Sequence, residues 1–182
     1  MCTIYLDNAA TTRVREEVVS VISSIIKNEY GNPSSTHSYG RSSKSLIESS
    51  RKEIADILNV KASEIIFTSG GTEADNMIIR NCVHNLGVSH LITTKIEHHA
   101  VTHTIDDLVS SNDTKVSYVK VSKSGHVNLN DLEEILKRSD EKSLVSLMHI
   151  NNEIGNITDI QLVSEICQKY NSLFHSDTVQ SV

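Results

Sequence analysis

His90-Leu91-Ile92-Thr93-Thr94, followed within a few polar residues by the segment His99 to Leu108, decides the fold. The first five residues are short, apolar and β-branched, and so read as a strand. His99 to Leu108 reads as a helix. Working outward, the same alternation recurs. Glu64-Ile65-Ile66-Phe67-Thr68 predicts a strand that ends at Ser69-Gly70-Gly71, with a helix from Thr72 to about His84. Lys115 to Val121 predicts a strand. A helix is expected from Asp131 to Arg138, started by Asn130 with Glu133 three residues on. Leu144 to Ile150 is an apolar run expected as a buried strand. Leu162, Val163, Ile166 and Tyr170 mark a helix, and Ser172 to Ser176 a last strand. Toward the N-terminus, Val14, Val18, Val21 and Ile25 predict a helix over 14–28, and Ile47, Ile54 and Leu58 another over 41–58.

Strands alternating with helices imply right-handed crossovers and an α/β fold: a mostly parallel sheet flanked by helices, three layers deep. Ligands of such sheets bind beyond the carboxyl ends of the strands. Functional residues are therefore expected just after strands.

The bulk numbers narrow the classes. A chain of 182 residues suffices for one ordinary domain with a real core. Its 38% hydrophobic and 22% charged residues fit a globular chain rather than a disordered one. A net charge of -6 leaves no dominant basic surface and argues against nucleic acid as a partner. No apolar run approaches the ~18 residues that span a bilayer, and Met1 to Asp7 lacks a secretory signal. No membrane partner and a cytoplasmic location are expected. Cys2, Cys82 and Cys167 form no CxxC pair, which points to a reducing compartment and no zinc site. Cys82 and Cys167 are expected as helix packing. No composition break marks a domain boundary. Val182 ends the chain inside an ordinary sequence with no polar tail, which reads as a truncation.

Four segments after strands hold unusual polar residues. Ser69-Gly70-Gly71-Thr72-Glu73 could hold a phosphate, because glycines allow close backbone approach and the next helix offers free N–H groups. It could equally be a tight turn with Thr72 as a helix cap. In Ile96-Glu97-His98-His99-Ala100, an imidazole could stack on a flat cofactor, shuttle a proton, or sit on the surface. His99 and His103 share a helical face, but no glutamate stands where a metallohydrolase needs one. His149-Ile150-Asn151-Asn152-Glu153-Ile154-Gly155 could bond a ligand oxygen or form a turn. In His175-Ser176-Asp177-Thr178-Val179-Gln180, Asp177 closes an expected central strand. Its carboxylate could hold a pyridinium nitrogen protonated, cap a helix or loop, or bind magnesium.

Six ordered segments resemble one family. Tyr5-Leu-Asp-Asn-Ala-Ala-Thr-Thr12, Gly31-Asn-Pro-Ser-Ser35 with His37, Phe67-Thr-Ser-Gly-Gly-Thr-Glu-Ala-Asp-Asn76, Glu97-His-His-Ala-Val101, His149-Ile-Asn-Asn-Glu-Ile-Gly155 and Asp177-Thr-Val-Gln180 are similar to those of the class V aminotransferase-like cysteine desulfurases. The resemblance covers the chain nearly end to end. It implies the incomplete large domain of a fold type I pyridoxal-phosphate enzyme, with residues 15–182 its first part and residues 1–14 joining an absent small domain. The implied activity converts L-cysteine to L-alanine, with sulfur passed on as an enzyme persulfide for iron–sulfur cluster or thio-cofactor synthesis. The implied cofactor is pyridoxal 5'-phosphate. The implied partners are L-cysteine, a second subunit, the missing C-terminal half, and a sulfur-acceptor or scaffold protein.

By the same resemblance, Gly71 and Thr72 would bind the cofactor phosphate. His98 would stack on the ring and assist proton transfer as the catalytic residue. Asn152 would sit near the ring hydroxyl or the substrate, Asp177 would pair with the pyridinium nitrogen, and Gln180 would bond the ring hydroxyl. The family's Schiff-base lysine has no counterpart, since no lysine follows Asp177. None of the three cysteines matches the family's sulfur-receiving position. The chain alone is therefore expected to turn over no cysteine. Neighbouring readings are a selenocysteine lyase, another class V aminotransferase, or a non-catalytic fragment acting by association.

Overall fold

Four short strands, β1 (His90–Thr93), β2 (Lys115–Tyr118), β3 (Ser143–Ser146) and β4 (Leu173–His175), pair in parallel in the order β2-β1-β3-β4. They appear in a computed structural model that describes residues 3–111 and 114–182. β1 and β3 carry the core. Leu91 lies opposite Leu144, and Ile92 opposite Val145. Because successive side chains of a strand face opposite ways, the two pairs feed two different cores. Leu91 and Leu144 pack with Ile79, Cys82, Val101, Ile105 and Leu108, from helices α3 (Gly71–Leu86) and α4 (His99–Ser111). Ile92 and Val145 pack with Leu132, Leu136, Val163 and Ile166, from α5 (Leu129–Lys137) and α6 (Ile160–Lys169). The result is the expected three-layer α/β arrangement.

The chain divides into two compact units, Met1–Phe67 and Thr68–Val182, and the sheet belongs to the second. The first contains α1 (Glu16–Asn28) and α2 (Ser38–Leu58), close to the expected helices. His37 caps α2 by accepting the Gly40 amide at 3.3 Å. Gly31 is required by close packing, since a Cβ there would come within 2.3 Å of the Tyr39 carbonyl oxygen. The apolar stripe of α1 is exposed throughout, and none of its residues is buried.

Three expectations about elements are corrected. Glu64 to Thr68 is not a strand. Ala62–Glu64 forms a 3-10 turn, Ile65 is extended, and Ile66 and Phe67 are exposed. A β-rich run becomes a strand only when a neighbour accepts its ladder bonds, and none stands beside it among the described residues. Second, the runs 115–121 and 144–150 leave the ladder early. Val121 bridges antiparallel to Val127, and Ile150 to Ile157, so each apolar run ends in its own small hairpin. Third, β4 is an edge strand of the described sheet rather than a central one.

The start of α5 is also displaced from Asn130. Asn128 caps it, its Oδ1 accepting the Asp131 amide at 3.2 Å. Asn128→Ala should therefore cost about 1 kcal/mol of stability. Asn130→Ala lies inside the helix and should change it by only a few tenths. Urea midpoints of the two variants test this, and equal losses would contradict the assignment.

Candidate active site at the carboxyl ends of the strands

The strand order creates a crevice. From β1 the chain passes through α4 to β2 on one side. From β2 it returns through α5 to β3, on the other side of β1. The loops leaving β1 and β3 thus diverge to opposite faces, which is the topological switch point where ligands of such sheets bind. A cavity of about 340 Å³ opens there, lined by Lys95, His98 and His99 after β1 and by Asn152, Glu153 and Ile154 after β3. Its size falls within the usual range for small-molecule pockets.

The remaining candidate residues share this rim through contacts between distant segments. An added Cβ at Gly71 would lie 2.6 Å from Val179 Cγ2, so the start of α3 abuts the loop after β4. Asp75 Oδ1 meets His175 Nε2 at 3.3 Å, with both side chains buried. Asn76 donates to the Ala100 carbonyl at 3.4 Å, tying α3 to the start of α4. The His149 amide donates to the Asp177 carbonyl at 3.0 Å. Thr72 is exposed beside Gly71, and Gln180 is exposed beside Val179. Gly71, Thr72, His98, Asn152, Asp177 and Gln180 thus meet at one end of the sheet. Only His98 and Asn152 line the cavity itself.

Local hydrogen bonds decide several open alternatives. Thr72 is not the cap of α3. Gly70 holds that position, and Glu73 Oε2 accepts the Ser69 amide at 2.6 Å. The first-turn amides of α3 have no carbonyl one turn back to receive them. Asp177 is buried, and its Oδ1 accepts the Val179 amide at 3.0 Å, which orders the loop after β4. His98 Nδ1 accepts the Ala100 amide at 3.1 Å. An amide can only donate, so a neutral His98 ring carries its proton on Nε2. Of the two asparagines, Asn151 is the turn former. It is buried, accepts the Glu153 and Ile154 amides at 2.9 and 3.1 Å, and donates to the Ile96 carbonyl at 2.7 Å. Asn152 is left half-buried at the cavity.

Two features of the rim have no counterpart in the sequence reading. Glu97 is 8% exposed, and its oxygens accept from Thr94 Oγ1 and the Met148 amide, each at 2.8 Å. Burial pushes its carboxyl up to about 8, and the charges of Asp177 and Asp75 add to the effect, while those two hydrogen bonds oppose it. The second is the Asp75–His175 pair, completed by Ser146 Oγ at 2.9 Å from His175 Nδ1. Both join residues too far apart in sequence for any local pattern to show.

The two described cysteines lie outside this chemistry, and the histidine pair forms no metal site. Cys82 and Cys167 are buried in the two cores. Burial raises both thiols, that of Cys167 to about 12, so neither is a ready nucleophile. Cys2 lies outside the described residues. His99 and His103 stack with ring centroids 4.8 Å apart. Among the described residues, no group of three or more His, Cys, Asp or Glu side chains could hold a metal ion. Nor is any helix there long and apolar enough to cross a membrane.

Comparison with known proteins places this geometry among relatives. The family described as aminotransferase class-V matches residues 4–182. The cysteine desulfurase IscS of Dictyoglomus turgidum is 42% identical over 184 residues, covering 98% of this chain and 45% of the relative. A solved structure described as a NifS-like protein superposes with a TM-score of 0.92 at 39% identity, over 98% of this chain and 50% of the other. A structure described as SspA in complex with cysteine gives 0.92 at 31% identity, over 98% and 51%. The chain spans about half the length of the curated relatives it matches.

Proposed function

Because the chain belongs to the class-V aminotransferase family, we propose that it is the first part of the large domain of a cysteine desulfurase. Residues 15–182 belong to that domain, and residues 1–14 join a small domain supplied by the remainder of the protein. The substrate is L-cysteine, the products are L-alanine and a persulfide, and the sulfur goes on to an acceptor or scaffold protein. The working form is a cytoplasmic homodimer. The observation that carries this reading is the meeting of Gly71, His98, Asn152 and Asp177 at the switch-point rim. Relatives named as cysteine desulfurases, and one solved with cysteine, support this substrate over its neighbours.

The rim suits pyridoxal 5'-phosphate. Two buried carboxyls, Asp75 and Asp177, make a pole that favours a cation, which a protonated pyridine nitrogen would supply. Gly71 and Thr72 would hold the phosphate on the first-turn amides of α3, where backbone approaches closely because no Cβ stands at Gly71. When bound, the group supplies an electron sink for charge developing on the amino acid. Asp177 would keep the ring nitrogen protonated, and Asn152 and Gln180 would bond the ring hydroxyl. His98 would cover the ring and offer its Nε2 proton at the cavity. Cys82 and Cys167, buried in the two cores, are not placed to accept the sulfur.

The test combines the chain with a polypeptide that supplies the rest of the relatives' length, such as the C-terminal portion of the Dictyoglomus turgidum protein. Given pyridoxal 5'-phosphate and L-cysteine, the complemented sample should release alanine and form persulfide in equal amounts, and the chain alone should do neither. A complemented sample that binds the cofactor and yields no alanine would overturn the reading.

A further inference from the structure

Glu97 lines the cavity beside His98, yet its side chain is buried and both of its oxygens are engaged by the protein. Its two oxygens join segments 51 residues apart in sequence. One accepts from Thr94 Oγ1 at the end of β1, the other from the Met148 amide just past β3. Asn151 makes a second crosslink between the same loops, donating to the Ile96 carbonyl at 2.7 Å and contacting Met148 Sδ at 3.0 Å. His98 lies between these ties and the first turn of α4, where its Nδ1 receives the Ala100 amide. The loop that bears His98 is thus fixed from both sides, and Glu97 makes one of its two ties to the segment just past β3.

We propose that Glu97 is a positioning residue: its two oxygens bolt the His98 loop to the exit of β3, and so fix which nitrogen His98 presents to the cavity. Thr94 Oγ1, which itself receives the Ile96 amide at 3.3 Å, donates to one oxygen, and the Met148 amide donates to the other. The charged groups that face Glu97 from the packed elements favour its protonated form. Asp75 comes from α3 and Asp177 from the loop after β4, and both disfavour a third negative charge. His175 of β4 is already engaged by Asp75 and Ser146, and so offers Glu97 no cation of its own. Lys95 and His98 on its own loop are exposed. The inference rests on His98 working at the rim as proposed above, but it concerns contacts within this chain and is tested without cofactor or turnover.

The experiment is ¹⁵N NMR of the histidine side chains in the 182-residue chain, compared among the unaltered protein, Glu97→Gln, Glu97→Ala and Glu97→Asp. His84, in the last turn of α3 and so away from the rim where that helix starts, is the internal control. In the unaltered chain His98 should show two well-separated ring nitrogens, the signature of one tautomer with its proton on Nε2. Glu97→Gln reproduces the neutral acid, its carbonyl accepting from Met148 and its amide donating to Thr94, and should keep the separation. Glu97→Ala should lose it, the two signals collapsing toward their average while His84 is unmoved. If the alanine variant does not fold, Glu97→Asp takes its place, since the shorter acid cannot reach both partners. Retention of the separation in the folded alanine or aspartate variant would overturn the proposal, and so would its loss in the glutamine variant. A failure of the desulfurase reading would leave all of these signals as expected.

Discussion

Raising the pH from about 4.5 to about 8 should weaken the folded chain by on the order of 3–5 kcal/mol, and Glu97→Gln should remove that loss. The sign follows from where the proton is held. In the unfolded chain Glu97 ionises near its ordinary 4.5, while in the fold burial holds it protonated up to about 8. Below 4.5 both states carry the proton and this carboxyl sets no penalty. Between the two values only the folded state carries it, so each rise in pH favours unfolding. Above about 8 both states are ionised, and the fold bears a buried charge beside Asp177 and Asp75. Glutamine keeps the bonds to Met148 and Thr94 and cannot ionise, so its profile should lack this descent. Denaturant unfolding of both proteins across pH 4 to 9 measures the difference, in which titration of other groups cancels. Parallel profiles would show that Glu97 is ionised in the fold at neutral pH.

This effect also shows where sequence reading reaches and where it stops. Strands and helices are legible because each is written locally, as a short apolar, β-branched run from His90 to Thr94 and as a period of 3.6 in the helices. The rule that ligands sit past strand ends singles out His98, Asn152 and Asp177, which follow β1, β3 and β4. The rest depends on partners far along the chain. Glu97 reads as one more polar letter until Met148, Asp75 and Asp177 close around it. Asn151 and Asn152 look interchangeable, yet both reach the cavity and only Asn151 is spent on the turn. Glu64 to Thr68 has every local mark of a strand and lacks only a neighbour. Asn130 and Asn128 offer similar caps, and the hairpin at Val121 and Val127 selects the second.

Asp177→Asn should cut alanine formation by the complemented protein about 10²–10³-fold, the scale for loss of one preorganised electrostatic partner, while leaving the chain at least as stable as before. The two readouts move apart for a physical reason. Asparagine keeps an Oδ1 that can accept the Val179 amide, so the loop after β4 should hold its form. What disappears is the charge. In the chain by itself that charge is a burden, because it sits buried near Glu97 and Asp75 and helps push Glu97 up to about 8. Removing it relieves the repulsion and should lower the pH at which Glu97 gives up its proton. In the working site the same charge has a partner in the pyridinium nitrogen, and a neutral amide cannot hold that nitrogen protonated. A rim built for function should therefore gain nothing in catalysis from the change that eases its own electrostatics. Alanine formation under saturating cysteine, set beside the unfolding midpoint, decides the matter. Near-normal turnover would remove Asp177 from the proposed site, and a large fall in stability would mean that the lost activity reports on folding.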